Sequence, residues 1–328
     1  MAEPLSINPE FTPVVPAEHD DKALHRVIFI VLALAICVAP AFVYPVFLMK
    51  VLCFALFASA FNLLFGYAGL LSFGHAAFFG LASYVSAYTA KFWGITPELA
   101  ILAGTAAGAL LGLVFGAIAI RRQGIYFAMI TLALAQMVYF FSVQRPDFTN
   151  GEDGIQAVPR GHLFGLFDLS NDMTLYWTVA VIFMGAMLLI HRFVHSPYGQ
   201  VLQAVRDNER RAVSLGYRAQ RYKLMAFVMS AAIAALAGAT KAIVFQVATL
   251  VDVHWSMSGE PILMALVGGV GTIFGPLVGA AVMTTLQNYL VSAGSWITVI
   301  QGVIFVLCVL MFRAGITGTI AERLKRSL

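Results

Sequence analysis

Charge is what this sequence has least of. Of its 328 residues only 11% are Asp, Glu, Lys or Arg, whereas 60% are apolar; soluble domains carry about 25% charged residues. A chain with so little polar surface is a polytopic membrane protein. Cysteine is scarce as well. Cys37, Cys53 and Cys308 all sit inside apolar runs at unrelated spacings, which excludes a disulfide framework and a zinc site. No G-x-x-x-x-G-K-[ST] loop occurs, so the chain does not hydrolyse ATP by that route. His75, His191, His195 and His254 share no ligand spacing on one helix face, and no metal role follows from them. Ionisable groups inside the apolar runs are few, and a secondary transporter or channel would need them for coupling or selectivity. An integral-membrane enzyme would need converging acids, bases or metal ligands, and none converge. The net charge of +4 is distributed by membrane side rather than gathered on one face, so nucleic acid is not a partner.

What the chain does have is apolar length. Runs at about 27–44, 46–66, 74–91, 97–120, 124–143, 174–193, 223–247, 258–274, 275–293 and 296–313 approach the roughly 20 residues a helix needs to cross a bilayer. The expected fold is all-α, with about ten crossings. The third and eighth runs are short or interrupted by glycine and are expected to be broken or re-entrant. With the N-terminus inside and all ten crossing, every basic residue lies on the inner side except Lys50, Lys91, Arg145, Arg160 and Lys241. That bias favours both termini in the cytoplasm. The loop 144–173 then lies outside, acidic through Asp147, Glu152, Asp153, Asp168 and Asp172. Residues 1–25, acidic and proline-bearing, lack the charged start of a secretory signal and read as a disordered cytoplasmic tail. Residues 26–313 form the transmembrane domain, and 314–328 read as a basic cytoplasmic tail.

One polar island interrupts the spans: S-P-Y-G-Q-V-L-Q-A-V-R-D-N-E-R-R-A-V-S-L-G at 196–216. Ser196 can cap a first short helix with Pro197 at its first position. Asp207 or Asn208 can cap a second, and Gly216 is a natural stop. Leu202, Val205, Ala212 and Leu215 give a broken apolar stripe beside the charges of Arg206, Asp207, Glu209, Arg210 and Arg211. Such an element reads as a docking surface in the cytoplasm; the alternative is a basic loop that only fixes topology. A second island is made of glycine. G-G-V-G-T-I-F-G at 268–275 has no lysine and leads into Pro276, so it reads as close helix packing or a helix break rather than a phosphate site.

Three stretches together resemble a family: N-L-L-F-G-Y-A-G-L-L-S-F-G-H-A-A-F-F-G at 62–80, A-V-R-D-N-E-R-R-A-V-S-L-G at 204–216, and S-G-E-P-I-L-M-A-L-V-G-G-V-G-T-I-F-G-P-L-V-G-A at 258–280. They look like the signatures of LivM-type permeases of branched-chain amino acid ABC importers. The resemblance implies a bacterial inner-membrane subunit, surrounded by lipid, that pairs with a LivH-like permease, docks two cytoplasmic ATPases and receives solute from a periplasmic binding protein. ATP and magnesium would sit in the ATPases, and no cofactor in this chain. Branched-chain or related hydrophobic amino acids are the family default, with urea, amides or small carboxylates as the alternative. ATPase coupling is expected at Arg206, Asp207, Glu209, Ala212 and Gly216, of which Glu209 would carry an ionic contact. Helix breaks at membrane depth must face protein or a water-filled cavity, so a translocation path is expected at Asn62, Ser72, His75, Ser258, Glu260, Gly268 and Gly269. For His75 the structural alternative is a hydrogen bond closing the local turn. Binding-protein docking is expected at Asp147, Glu152 and Asp153.

Overall fold

The computed structural model describes residues 18–163, 165, 167–290, 299–300, 302–303, 306 and 315–324. Backbone polar groups in lipid must be satisfied within their own segment, which makes apolar runs helical. The helices are α1 (Glu18–Val38), α2 (Pro45–Asn62), α3 (His75–Phe92), α4 (Pro97–Ala119), α5 (Ile125–Gln144), a single turn α6 (Pro146–Thr149), α7 (Asp172–Val194), α8 (Pro197–Asp207), α9 (Glu209–Ser214), α10 (Ala219–Phe245), a second single turn α11 (Leu250–Val253), α12 (Gly259–Gly268), α13 (Gly275–Leu290) and α14 (Gly315–Leu324). Proline opens α2, α4, α6 and α8, where its missing N–H leaves nothing unpaired. Among the described residues, four two-residue strands form two antiparallel pairs: β1 (Ile155–Gln156) with β4 (Val247–Ala248), and β2 (His162–Leu163) with β3 (Phe167–Asp168).

Five described segments are long and apolar enough to cross a membrane: Pro45–Tyr67, Pro97–Ala119, Ile125–Gln144, Asp172–Val194 and Ala219–Phe245. The run at 74–91 is one continuous helix, α3. The run at 258–274 is divided, because α12 stops at Gly268 and α13 starts at Gly275. The end of the ninth run and nearly all of the tenth, with Cys308, lie outside the described residues. So do residues 1–17 of the expected tail.

α1 is helical from Glu18. α14 packs on α12 and α13, and Thr317 is buried there, its hydroxyl donating to the Gly268 carbonyl at 2.5 Å.

The centre of the bundle is α10 with α2, each 72% buried along its most apolar stretch, against 33% for α4 and α5. Small residues set that geometry. Gly104, Gly108 and Gly112 of α4 face Ala239, Ala235 and Ala231 of α10, and a Cβ on Gly108 would lie 2.2 Å from the Ala235 methyl. Close backbone approach of this kind is how helices associate where lipid tails are as apolar as leucine. The opposite faces of α4, α5 and α7 expose Leu102, Leu110, Met129, Met137 and Val181, as hydrocarbon-facing helices do. The molecule is thus a predominantly helical, multi-pass membrane protein with α8 and α9 at one end and the 145–171 connection at the other.

Candidate functional site

At the end carrying α8 and α9, local chemistry fixes two short helices. Ser196 Oγ accepts from the Gly199 N–H at 3.2 Å. Of the two possible caps for α9, Asn208 takes the role, its Oδ1 accepting from Arg211 N at 3.0 Å. α9 then ends in a Schellman turn: Tyr217 N donates to Ala212 O at 3.1 Å and Gly216 N to Val213 O at 2.9 Å, with Gly216 at φ 92°. Leu202, Val205 and Ala212 turn inward and are buried, and Ala212 packs with Val205 and Ala219. Leu215, read as part of that stripe, points out instead. It is 71% exposed, beside exposed Val213 and Tyr217.

The charged residues of the pair divide in the same way. Glu209 Oε2 accepts from Lys223 Nζ and from Gln123 Nε2, both at 2.6 Å. Its carboxylate therefore ties α9 to the start of α10 and to the α4–α5 turn. Lys223 is the partner the sequence did not reveal. Asp207 stays exposed and accepts from Arg206 Nε at 3.0 Å. The Arg206 guanidinium also reaches into the bundle, where Nη1 donates to the Gly66 carbonyl at 2.6 Å.

Gly66 lies in the first of two breaks. The ladder of α2 loosens into a π-helical turn over Leu63–Tyr67, and the chain is non-helical until α3 begins at His75. The second break runs from Gly269 (φ 126°) to Thr272, through Gly271 (φ 79°). These two meet. Asn62, 2% exposed, donates from Nδ2 to Thr272 O at 2.7 Å and accepts from Gly271 N at 2.9 Å. Thr272 Oγ1 donates to Gly269 O at 2.8 Å and lies 3.0 Å from Thr317 Oγ1. A Cβ on Gly66 would stand 2.7 Å from Gly271 N, and one on Gly268 would stand 1.9 Å from Gly275 O.

The other polar candidates brace the same region. Ser258 Oγ accepts from Ala76 N at 2.9 Å, so it caps α3 from a distance. Ser72 Oγ accepts from Gly74 N at 3.1 Å. The His75 ring is wholly enclosed, with Nε2 2.8 Å from Ser230 Oγ, whose hydroxyl donates to Ala60 O at 2.5 Å. His75 therefore clasps α3 to α10 and α2. Glu260 stands apart from this cluster, its Oε2 accepting from Gln287 Nε2 at 2.9 Å. A cavity of about 360 Å³ lies beside the first break, lined by Gly69, Leu71, Phe73, Gly124 and Phe127 among others. The larger cavity of about 640 Å³, bordered by Leu102, Trp177 and Val181, opens on the lipid-facing side of α4 and α7, away from both breaks.

At the far end the connection between α5 and α7 is held firmly. β1 pairs with β4, Lys91 Nζ donates to Gln156 O at 2.7 Å, and Arg160 pairs with Asp172 at 2.8 Å. The Ser170 backbone N–H, then its hydroxyl, and His162 hold the Asp168 carboxyl below the usual range. Asp147, Glu152 and Asp153 line the exposed rim. Just beneath, Lys241 pairs with Asp252 at 2.6 Å, both side chains nearly buried. Asp252 also forms a capping box with Thr249.

Residues 45–311 match the family described as "Branched-chain amino acid transport system / permease component". Two similar proteins are the high-affinity branched-chain amino acid transport system permease proteins LivM of Salmonella typhimurium and Escherichia coli. Each is 26% identical over 291 residues, covering 80% of this chain and 67% of the relative. The ribose import permease protein RbsC of Escherichia coli is 25% identical over 232 residues, covering 65% of this chain and 68% of the relative. No solved structure matches.

Proposed function

Because the chain belongs to the branched-chain amino acid transport system permease-component family, we propose that it is the membrane-spanning permease subunit of an ATP-binding-cassette importer. The family's members are transport components, so the chain moves solute and leaves ATP hydrolysis to separate subunits. In this reading α8 and α9 lie in the cytoplasm against an ATPase, and a second, LivH-like permease completes the pathway. A periplasmic binding protein delivers branched-chain or related hydrophobic amino acids across the acidic rim of Asp147, Glu152 and Asp153.

The observation that carries the proposal is the outer face of α9. Val213 and Leu215 are 53% and 71% exposed beside Asp207, Arg210 and Arg211, on a helix pair capped and stopped at every end. A half-apolar helix with a charged rim is what a groove in a soluble partner grips. Ala212, Glu209 and Gly216 act behind that face by holding the two helices together, bracing them on α10 and fixing the exit. The two breaks offer the freed backbone that a mildly polar path requires, with Asn62, Ser72, His75, Ser258, Gly268 and Gly269 shaping it and Glu260 near its rim.

The test is co-purification. The affinity-tagged chain taken from its native membranes should carry ATPase subunits and a second permease, and Leu215→Asp should release the ATPases while the permease pair stays intact. Retention of the ATPases by L215D would remove α9 from the interface. Titration of the cognate binding protein with leucine, urea, short amides, small carboxylates and ribose then fixes the substrate class; ribose is included because of the similarity to RbsC.

A further inference from the structure

We infer that Arg206 is a strut that carries movement of α8 and α9 to both helix breaks at once, rather than a residue that grips the ATPase; this rests on the reading that the ATPase docks on α8 and α9. The guanidinium is held at three points. Nε and Nη2 lie 3.0 and 2.9 Å from the Asp207 carboxylate, and Nη1 donates to Gly66 O at 2.6 Å. The stem lies so close to Gly69 that a Cβ there would meet Arg206 Cγ at 2.8 Å. Gly66 belongs to the π-helical turn of α2, where the regular ladder opens and a carbonyl is free to take an outside donor. A planar guanidinium can hold a carboxylate and a carbonyl together in one fixed geometry, which an ammonium cannot.

From Gly66 the connection continues without a gap. Its backbone touches that of Gly271, and one turn earlier Asn62 places both ends of its amide on the second break, at Gly271 N and Thr272 O. Thr272 reaches Thr317, which holds Gly268 O. Hydrogen bonds of 3.0 Å or less thus join the exposed helix pair to the first break, the second break and α14. A displacement of α8 cannot leave the Gly66 carbonyl in place without breaking the guanidinium bond. The Asn62 amide passes the same displacement to Gly271. Arg206 and Asn62 therefore act as positioning residues for the opening of the path.

The experiment uses the complete transporter in proteoliposomes, with Arg206→Met, Arg206→Lys, Asn62→Leu and the R206M/N62L double variant. R206M should retain its ATPase subunits yet lose uptake by roughly 10- to 100-fold, the scale of one hydrogen bond to a charged group. R206K keeps one donor for Gly66 O and should recover part of the loss; it also carries the test should R206M fail to accumulate. N62L should match R206M, and the double variant should be no worse than either, because the two lie in series. A cysteine at Leu71, in the first break and on the wall of the cavity of about 360 Å³ beside it, in a background lacking Cys37, Cys53 and Cys308, should change its rate of reaction with a water-soluble thiol reagent when nucleotide binds. In R206M that change should vanish. Wild-type uptake in R206M, multiplicative losses in the double variant, or an unchanged nucleotide response would each overturn the strut. ATPase subunits shed by R206M would make Arg206 a contact and leave the proposed function standing, whereas a wild-type chain that binds no ATPase would remove both.

Discussion

At Gly108 one added carbon decides whether two helices can meet. Its Cα faces the Ala235 methyl, and Gly108→Leu forces α4 off α10, so it should destabilise the fold by about 1–3 kcal/mol or more, read as a lower unfolding temperature in detergent. The spacing Gly104, Gly108, Gly112, Gly116 stands openly in the sequence, but the alanines it meets do not, since they lie over a hundred residues away on a helix with alanine on several faces. Charge pairs were hidden for the same reason. Lys241 lies near the end of α10 and Asp252 on α11, and only the intervening turn through Gln246 and β4 brings them to 2.6 Å. Lys241→Met should cost about 3–5 kcal/mol by leaving Asp252 buried and unpaired, and adding Asp252→Leu should restore most of it; equal stability of the single and double variants would contradict the pairing. At Gly216 the positive φ makes Gly216→Val strained by about 1–2 kcal/mol. The expected result is a protein that inserts normally and loses the link between ATP hydrolysis and uptake.

The short helices of the 196–216 segment were legible because capping is local: Ser196, Pro197, Asn208 and Gly216 each act within a few residues of themselves. Which side chains face out was not, because Ala212 and Leu215 lie one turn apart on a helix too short to show a period. The breaks were legible as glycine clusters, yet their mutual bracing through Asn62, Gly271 and Thr272 depends on two segments separated by about two hundred positions. Cysteines replacing Ser72 and His75, fully enclosed here, should react with a water-soluble thiol reagent only in the nucleotide state that opens the path, and inertness in every state would move the path elsewhere. The acidic rim gives an element-level prediction of its own. Glu152→Lys with Asp153→Lys should weaken the response to loaded binding protein more at low salt than at high salt, because exposed charges are screened within about 8–10 Å at physiological ionic strength. A loss independent of salt would exclude electrostatic docking there.

For the whole molecule, composition alone points to the class, and the apolar runs mark the five described segments long enough to cross a membrane. Composition could not say which helix is central. α10 takes that place because its alanines let α2, α3 and α4 approach together, and no count of hydrophobic residues separates it from α7, which is as apolar but faces outward along one side. Nor does composition show what α14 does: Thr317 and Gly315 seat it against Gly268 and Gly269, and neither residue is apolar enough to announce a packed helix. On the proposed function, this chain moves solute only as part of an ATP-driven assembly. Uptake of radiolabelled leucine into proteoliposomes tests it, with this chain reconstituted first alone and then with the second permease, the ATPases, ATP on their side and loaded binding protein on the other. Uptake should appear only with the full set and fall to background without ATP; uptake by this chain alone, independent of ATP, would make it a channel or secondary transporter instead.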